Sequence, residues 1–157
     1  MHKQTLTLAM TFLASVILVV GAHQSAQGEE GKKMKTIRII LDDETITATL
    51  DDTAAAREFL ALLPLTVDLK DYASTEKIAD LPKKLSTAEA PAGFEPKIGD
   101  LAYYAPWGNL AIFYKDFEYS RGLIKLGRIT SGLKHLDYSG SKRVTIEKFS
   151  DEKGEGP

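Results

Sequence analysis

The run GDLAYYAPWGNLAIFYKDF, which begins at Gly99, constrains this chain more than any other segment. Leu101, Tyr103 and Ala105 alternate with Ala102 and Tyr104, and Leu110, Ile112 and Tyr114 alternate with Ala111, Phe113 and Lys115. A period of two places successive side chains on opposite faces, so both stretches read as half-buried strands. Pro106 and Gly108-Asn109 punctuate them as a hairpin turn does. A chain built around such a hairpin has to supply further strands to cover its apolar face.

Those strands can be read along the rest of the sequence. Ile37, Ile39 and Leu41 alternate with Arg38 and Ile40, and Ile46, Ala48 and Leu50 alternate with Thr45, Thr47 and Thr49, with Asp42-Asp43-Glu44 as the joining turn. Asp51 or Asp52 is the expected cap of a helix whose Ala55, Phe59, Leu62 and Leu63 recur at helical spacing until Pro64 stops it. Leu65, Val67 and Leu69 alternate again. Residues 72–98 lose periodicity and gain Pro82, Pro91, Gly93 and Pro96, an excursion that is either functional or holds elements the pattern does not show. A strand over 122–129, a helical turn over 131–136 and a closing strand over 143–149 complete the pattern, and residues 150–157 read as a disordered tail. Short strands with turn signals and no βαβ alternation argue for a mainly β domain, and closure into a small barrel with one or two short helices hides its edges.

The first 28 residues are of another kind. Lys3 is their one charged residue apart from titratable His2 and His23, and positions 6–20 are apolar before the small and polar GAHQSAQG. A basic start, a short apolar stretch and small residues at cleavage positions describe a secretory signal peptide, since a spanning helix needs about 20 apolar residues. Ala22, Ala26 and Gly28 are candidate last residues, with Ala26-Gln27-Gly28 fitting the small-x-small rule best. The expected organisation is a signal peptide over 1–28, a linker over 29–33, one domain over 34–149 and the tail. The product is expected in the periplasm or outside the cell, or in the cytoplasm if translation starts at Met34.

Composition removes many chemistries. The chain has 20 Lys+Arg against 22 Asp+Glu, and without Lys3 its net charge moves from −2 to −3. With both signs interspersed, the surface offers no steering field for nucleic acid or for an anionic membrane. There is no Cys, hence no disulfide, thiol nucleophile or thiolate metal site, and beyond the leader a single histidine, His135, remains. No Gly-x-Ser-x-Gly elbow accompanies it, and phosphate-loop and dinucleotide fingerprints are missing from the sequence. No Asp-x-Asp-x-Asp-Gly loop organises the carboxylates, so neither a metal nor a cofactor is expected.

The hairpin run, together with DLPKKLSTAEAPAGFEPKIGD before it and YSRGLIKLGRI after it, resembles the bacterial cyclophilin-like family over residues 34–149. The resemblance implies a small closed β-barrel related in fold to the cyclophilin prolyl isomerases. Prolyl isomerisation needs a pocket for the proline and a donor to the twisted amide, which in the cyclophilins are an apolar aromatic pocket and an arginine. This sequence has no Phe-His-Arg-type segment and no Gln-x-Gly-Gly-Asp-like run, so no catalytic arginine carries over by motif. Arg121 is the substitute by position, and a solvated role packed over Tyr119 is the plainer use. Arg38 and Arg128 lie on strand faces, where pairing with an acid is expected.

Seven aromatics fall within residues 103–119, and alternation sends about half of them to the core. Tyr104, Trp107 and Phe113 are the groove candidates. Glu76 in STEKI and Ser86 in KLST are candidate polar contacts to a ligand, or else staples of their own loop. The reading is an exported monomer that binds a small molecule or an extended peptide in an aromatic groove. The alternatives are a peptidyl-prolyl isomerase and a non-catalytic structural or partner-docking domain.

Overall fold

The alternating runs fold as strands whose apolar members point to one side, and a computed structural model describes them over residues 35–149. The signal peptide, linker and tail expected over 1–28, 29–33 and 150–157 lie outside the described residues. The elements are β1 (Lys35–Leu41), β2 (Glu44–Leu50), α1 (Ala54–Ala61), β3 (Leu65–Tyr72), β4 (Glu76–Asp80), β5 (Gly93–Phe94), β6 (Asp100–Tyr104), β7 (Asn109–Phe113), β8 (Ser120–Arg121) and β9 (Leu123–Ser131). A short 3-10 helix (Leu133–Leu136) and β10 (Ser141–Phe149) follow.

Eight strands close a barrel in the order β1-β10-β3-β4-β7-β6-β9-β2, every neighbouring pair antiparallel, with β1 and β2 paired to complete the ring. Closure leaves no long edge open to another chain. The fold is the small closed β-barrel that the sequence implies. Its interior is filled by Ile37, Ile39, Ile46, Ala48, Leu101, Tyr103, Leu110, Ile112, Leu126 and Ile146, joined by Phe59 of α1. Each large side chain so buried contributes about 1.5–3 kcal/mol relative to leaving it in water.

A second, smaller cluster lies on the outer face of β4, β7, β6 and β9. Ile78, Ala102, Ala111, Phe113 and Leu123 form it, with Phe94 and Tyr104 packed alongside. Phe94 arrives on a two-stranded flap in which β5 pairs with β8. Two glycines permit this flap. A Cβ on Gly93 would stand 2.2 Å from the Ser120 carbonyl oxygen, and one on Gly122, whose φ is +84°, would stand 2.9 Å from the Pro106 ring.

Two expectations need correction. The helix is capped by Thr53, whose Oγ1 accepts from the Ala56 amide at 3.2 Å, and not by Asp51 or Asp52. Asp52 instead accepts from Arg57 at 2.7 Å. The excursion expected over 72–98 contains a full barrel strand, β4, which sits between β3 and β7. Its hairpin with β3 turns through Ala73 and Ser74, both at positive φ without a glycine, so the usual turn signal is missing from the sequence. The apolar alternation of β4 is also broken, because Lys77 occupies a buried position.

Candidate functional site

The outer face of the barrel carries a cleft of about 210 Å³ whose walls come from β3, β4, β6, β7 and the turn between the last two. Strand parity explains its contents. Leu69 is buried in the barrel, so Tyr72, three residues on, faces outward, and its register partner Glu76 does the same. On β7 the outward set is Asn109, Ala111 and Phe113, and on β6 it ends in Tyr104, the register partner of Asn109. The turn after β6 holds Trp107 against both tyrosines. Its ring meets Tyr72 at 5.5 Å and 86° and Tyr104 at 5.3 Å and 82°, both edge-to-face.

Three features mark this cleft as unfinished. Trp107 is 57% exposed although it is the largest apolar side chain in the region. Asn109 is only 2% exposed, and while its Nδ2 donates to the Leu110 carbonyl at 3.0 Å, its Oδ1 has no hydrogen-bond partner. Buried acceptors are nearly always paired, and an orphan costs about 1–3 kcal/mol. Glu76 has no ion pair among the described residues, and its carboxyl is pushed up to about 7, first by burial and then by the charge of Asp71.

The next residue along β4 shows the opposite condition. Lys77 is fully buried on the other face of the strand, yet every need of its ammonium is met. It donates to Asp71 at 2.7 Å and to the Tyr138 carbonyl, and it stands 3.9 Å from the centroid of the Tyr138 ring and 5.1 Å from that of Tyr114. The Tyr114 hydroxyl donates to the same carboxylate at 2.6 Å. The Lys77 bond, followed by that of Tyr114, holds the Asp71 carboxyl below its usual range. Burial, then the bond to Asp71, pushes the Tyr114 phenol up to about 12.

The structure brings four of the sequence candidates together, since Tyr104, Trp107, Phe113 and Glu76 all line the cleft. Phe113 is buried, with its ring in the outer cluster, and the other three stand around it. Ser86 is not among the lining residues. Its amide donates to Glu58 at 2.8 Å and its Oγ accepts from the Ala88 amide, which staples the loop to α1. Arg121 sits exposed on β8, paired in register with Gly93, and is also not among the lining residues. Arg38 and Arg128 pair with Glu147 and Asp100, as expected of strand-face arginines. His135 is partly buried, with Nε2 at 3.2 Å from Glu44. Among the described residues no group of three or more His, Asp or Glu could hold a metal ion, and no helix is long and apolar enough to cross a membrane.

Sequence reasoning missed Tyr72, Asn109 and Phe117 as lining residues. Tyr72 was within reach, because extending the alternation of Leu65, Val67 and Leu69 turns it outward. Asn109 reads as a turn residue, and only the register with Tyr104 shows that it is a wall.

A second cleft, of about 440 Å³, runs between the N-terminal end of α1 and the loop bearing Ala88 and Pro91. It is the larger of the two, and both of its lining cations are already matched. Lys125 pairs with Asp100 at 2.9 Å and Arg57 with Asp52 at 2.7 Å. The smaller cleft is the one whose polar groups await a partner.

The chain belongs to the cyclophilin-like family, whose model matches residues 39–147. Its fold is similar to the solution structure of a hypothetical protein from Archaeoglobus fulgidus, with a TM-score of 0.55 and 17% identity over 76% of this chain and 99% of that one. None of the curated proteins matches the chain.

Proposed function

We propose that this cyclophilin-like domain binds a small molecule or an extended peptide in the groove walled by Tyr72, Tyr104 and Trp107. The observation that carries the reading is the coincidence in one cleft of a largely exposed tryptophan with a buried, unpartnered amide oxygen on Asn109. Exposed aromatics give large contact area at low entropic cost, and a few fixed polar groups orient what they hold. The prolyl isomerase reading fares less well, because no lysine or arginine is among the lining residues to donate to a twisted amide.

Trp107 is the single tryptophan of the chain, so emission excited where tyrosine does not absorb reports on the groove. Titration against a panel of metabolites and short peptides is expected to give a saturable change that Tyr72→Ala reduces. A panel that leaves the emission unmoved while the fold stays intact would favour a purely structural domain. The reading includes export and a monomeric state. Export is tested by the mass of the protein from its native host, which is expected to begin between His23 and Glu29. An intact Met1 or a Met34 start would reject it.

A further inference from the structure

Resting on the groove reading, we infer that the group this cleft takes is an alkylammonium cation. The cleft's one carboxyl is that of Glu76, and Asn109, four residues along β7 from the register partner of Glu76, carries a buried Oδ1 without a hydrogen-bond partner. Its ring walls meet at nearly right angles, Trp107 against Tyr72 and Trp107 against Tyr104, which makes two corners of an open aromatic box. No lysine, arginine or histidine is among its lining residues. A carboxylate and aromatic rings in one cleft form a combination that recognises organic ammonium groups, through charge, hydrogen bonds and the ring quadrupoles together. An anion would meet the Glu76 carboxylate with no cationic side chain among the lining residues to offset it.

The protein itself contains a filled version of this arrangement. On the other face of β4 the Lys77 ammonium is held by a carboxylate, a carbonyl oxygen and two tyrosine rings. The groove holds a carboxyl and aromatic rings with no cation among its lining residues. Its volume of about 210 Å³ lies below the 300–1,000 Å³ usual for whole drug-sized ligands, so it accommodates a headgroup or one side chain and leaves the rest of the ligand outside. The raised pKa of Glu76 fits the same picture, because a carboxylate desolvated without a counter-charge resists ionisation until one arrives.

The test is titration of the whole chain, by Trp107 fluorescence and by calorimetry, at a pH above the Glu76 value of about 7. The probes are tetramethylammonium and n-butylammonium, a short lysine peptide, and their neutral counterparts tert-butanol, n-butanol and the norleucine peptide. Each cation is expected to bind at least about tenfold more tightly than its counterpart, a difference of about 1.4 kcal/mol. Glu76→Gln is expected to remove most of that preference without lowering the melting temperature. Saturation by the small cations alone points to a metabolite, and tighter binding of the lysine peptide points to a protein segment; both outcomes support the inference. Equal binding of neutral counterparts, lost in Trp107→Ala, would overturn the ammonium assignment while sustaining the groove. No response to any probe would overturn the ammonium assignment, and no response to the wider metabolite and peptide panel would overturn the groove as well.

Discussion

Glu76 and Lys77 are neighbours on β4, and they face opposite sides of the same sheet in opposite electrostatic conditions. The inward residue is a cation with its full complement of partners: Asp71, the Tyr138 carbonyl and the rings of Tyr114 and Tyr138. The outward residue is an acid in an aromatic cleft with no ion pair among the described residues and no cation among the lining residues. Burial of a charge is tolerated where partners compensate it, so the first site is explained by the fold alone. The second is not, and an uncompensated polar cleft on a packed barrel points to something that comes from outside.

The largest effect expected from this contrast is catalytic. A groove that holds acceptors and lacks a cationic donor should give prolyl isomerase activity absent or far below that of true cyclophilins, since one preorganised donor is commonly worth about 3–4 kcal/mol. A standard X-Pro peptide assay measures it. Robust turnover that Arg121→Ala abolishes, with circular dichroism unchanged, would break the contrast and restore the enzyme reading.

Next in size is the inward site. Asp71→Ala leaves the Lys77 ammonium buried without its carboxylate, and loss of one partner of a buried pair costs about 3–5 kcal/mol. Urea unfolding should show a fall near the lower end of that range, because the Tyr138 carbonyl and both rings remain. A change below about 1 kcal/mol would mean that the pair contributes no more than a surface ion pair does.

The outward site gives a smaller effect of the other sign. Glu76 sits among Asp71 and Tyr72 of β3, Phe113 of β7 and Tyr104 of β6, with Tyr114 beyond β7 and Lys77 turned to the opposite face. Its folded pKa of about 7 exceeds the ordinary value of 4.5, so between those values the folded chain binds more protons than the unfolded one. Its contribution to stability is therefore fully present below about 4.5, falls as pH rises through that window, and is gone above about 7. Glu76→Gln should flatten the fall and raise the melting temperature at the alkaline end. Asp71 acts in a separate window, its stabilisation being lost only as pH drops below the usual carboxylate range. A melting profile for Glu76→Gln that parallels the unmodified protein between those values would remove the case for a desolvated carboxyl.

How far the sequence carried this picture follows the same two faces. Strict alternation made β1, β2, β6 and β7 legible, because their buried inward positions are apolar. β4 was hidden for two physical reasons. Its turn uses Ala73 and Ser74 at positive φ, where a glycine would have signalled a hairpin, and Lys77 puts a charge where an apolar side chain is expected. The helix cap was displaced by one or two residues, since three hydrogen-bonding side chains stand in a row and only Thr53 meets the Ala56 amide. Aromatic density located the groove, whereas its polar half was only partly readable. Glu76 stood out as a polar residue in a segment without clear periodicity, but Asn109 becomes a wall only through its register with Tyr104, and Ser86 turned out to serve its own loop.

The most direct measurement is the carboxyl pKa of Glu76, followed by carbon NMR in the free protein and in the presence of saturating tetramethylammonium. The expected result is a value near 7 for the free protein that moves down when the cation enters, since an opposite charge favours the ionised acid. An ordinary value near 4.5 in the free protein, or a raised value that the cation leaves where it was, would contradict the reading of this groove as a site that lacks its cation.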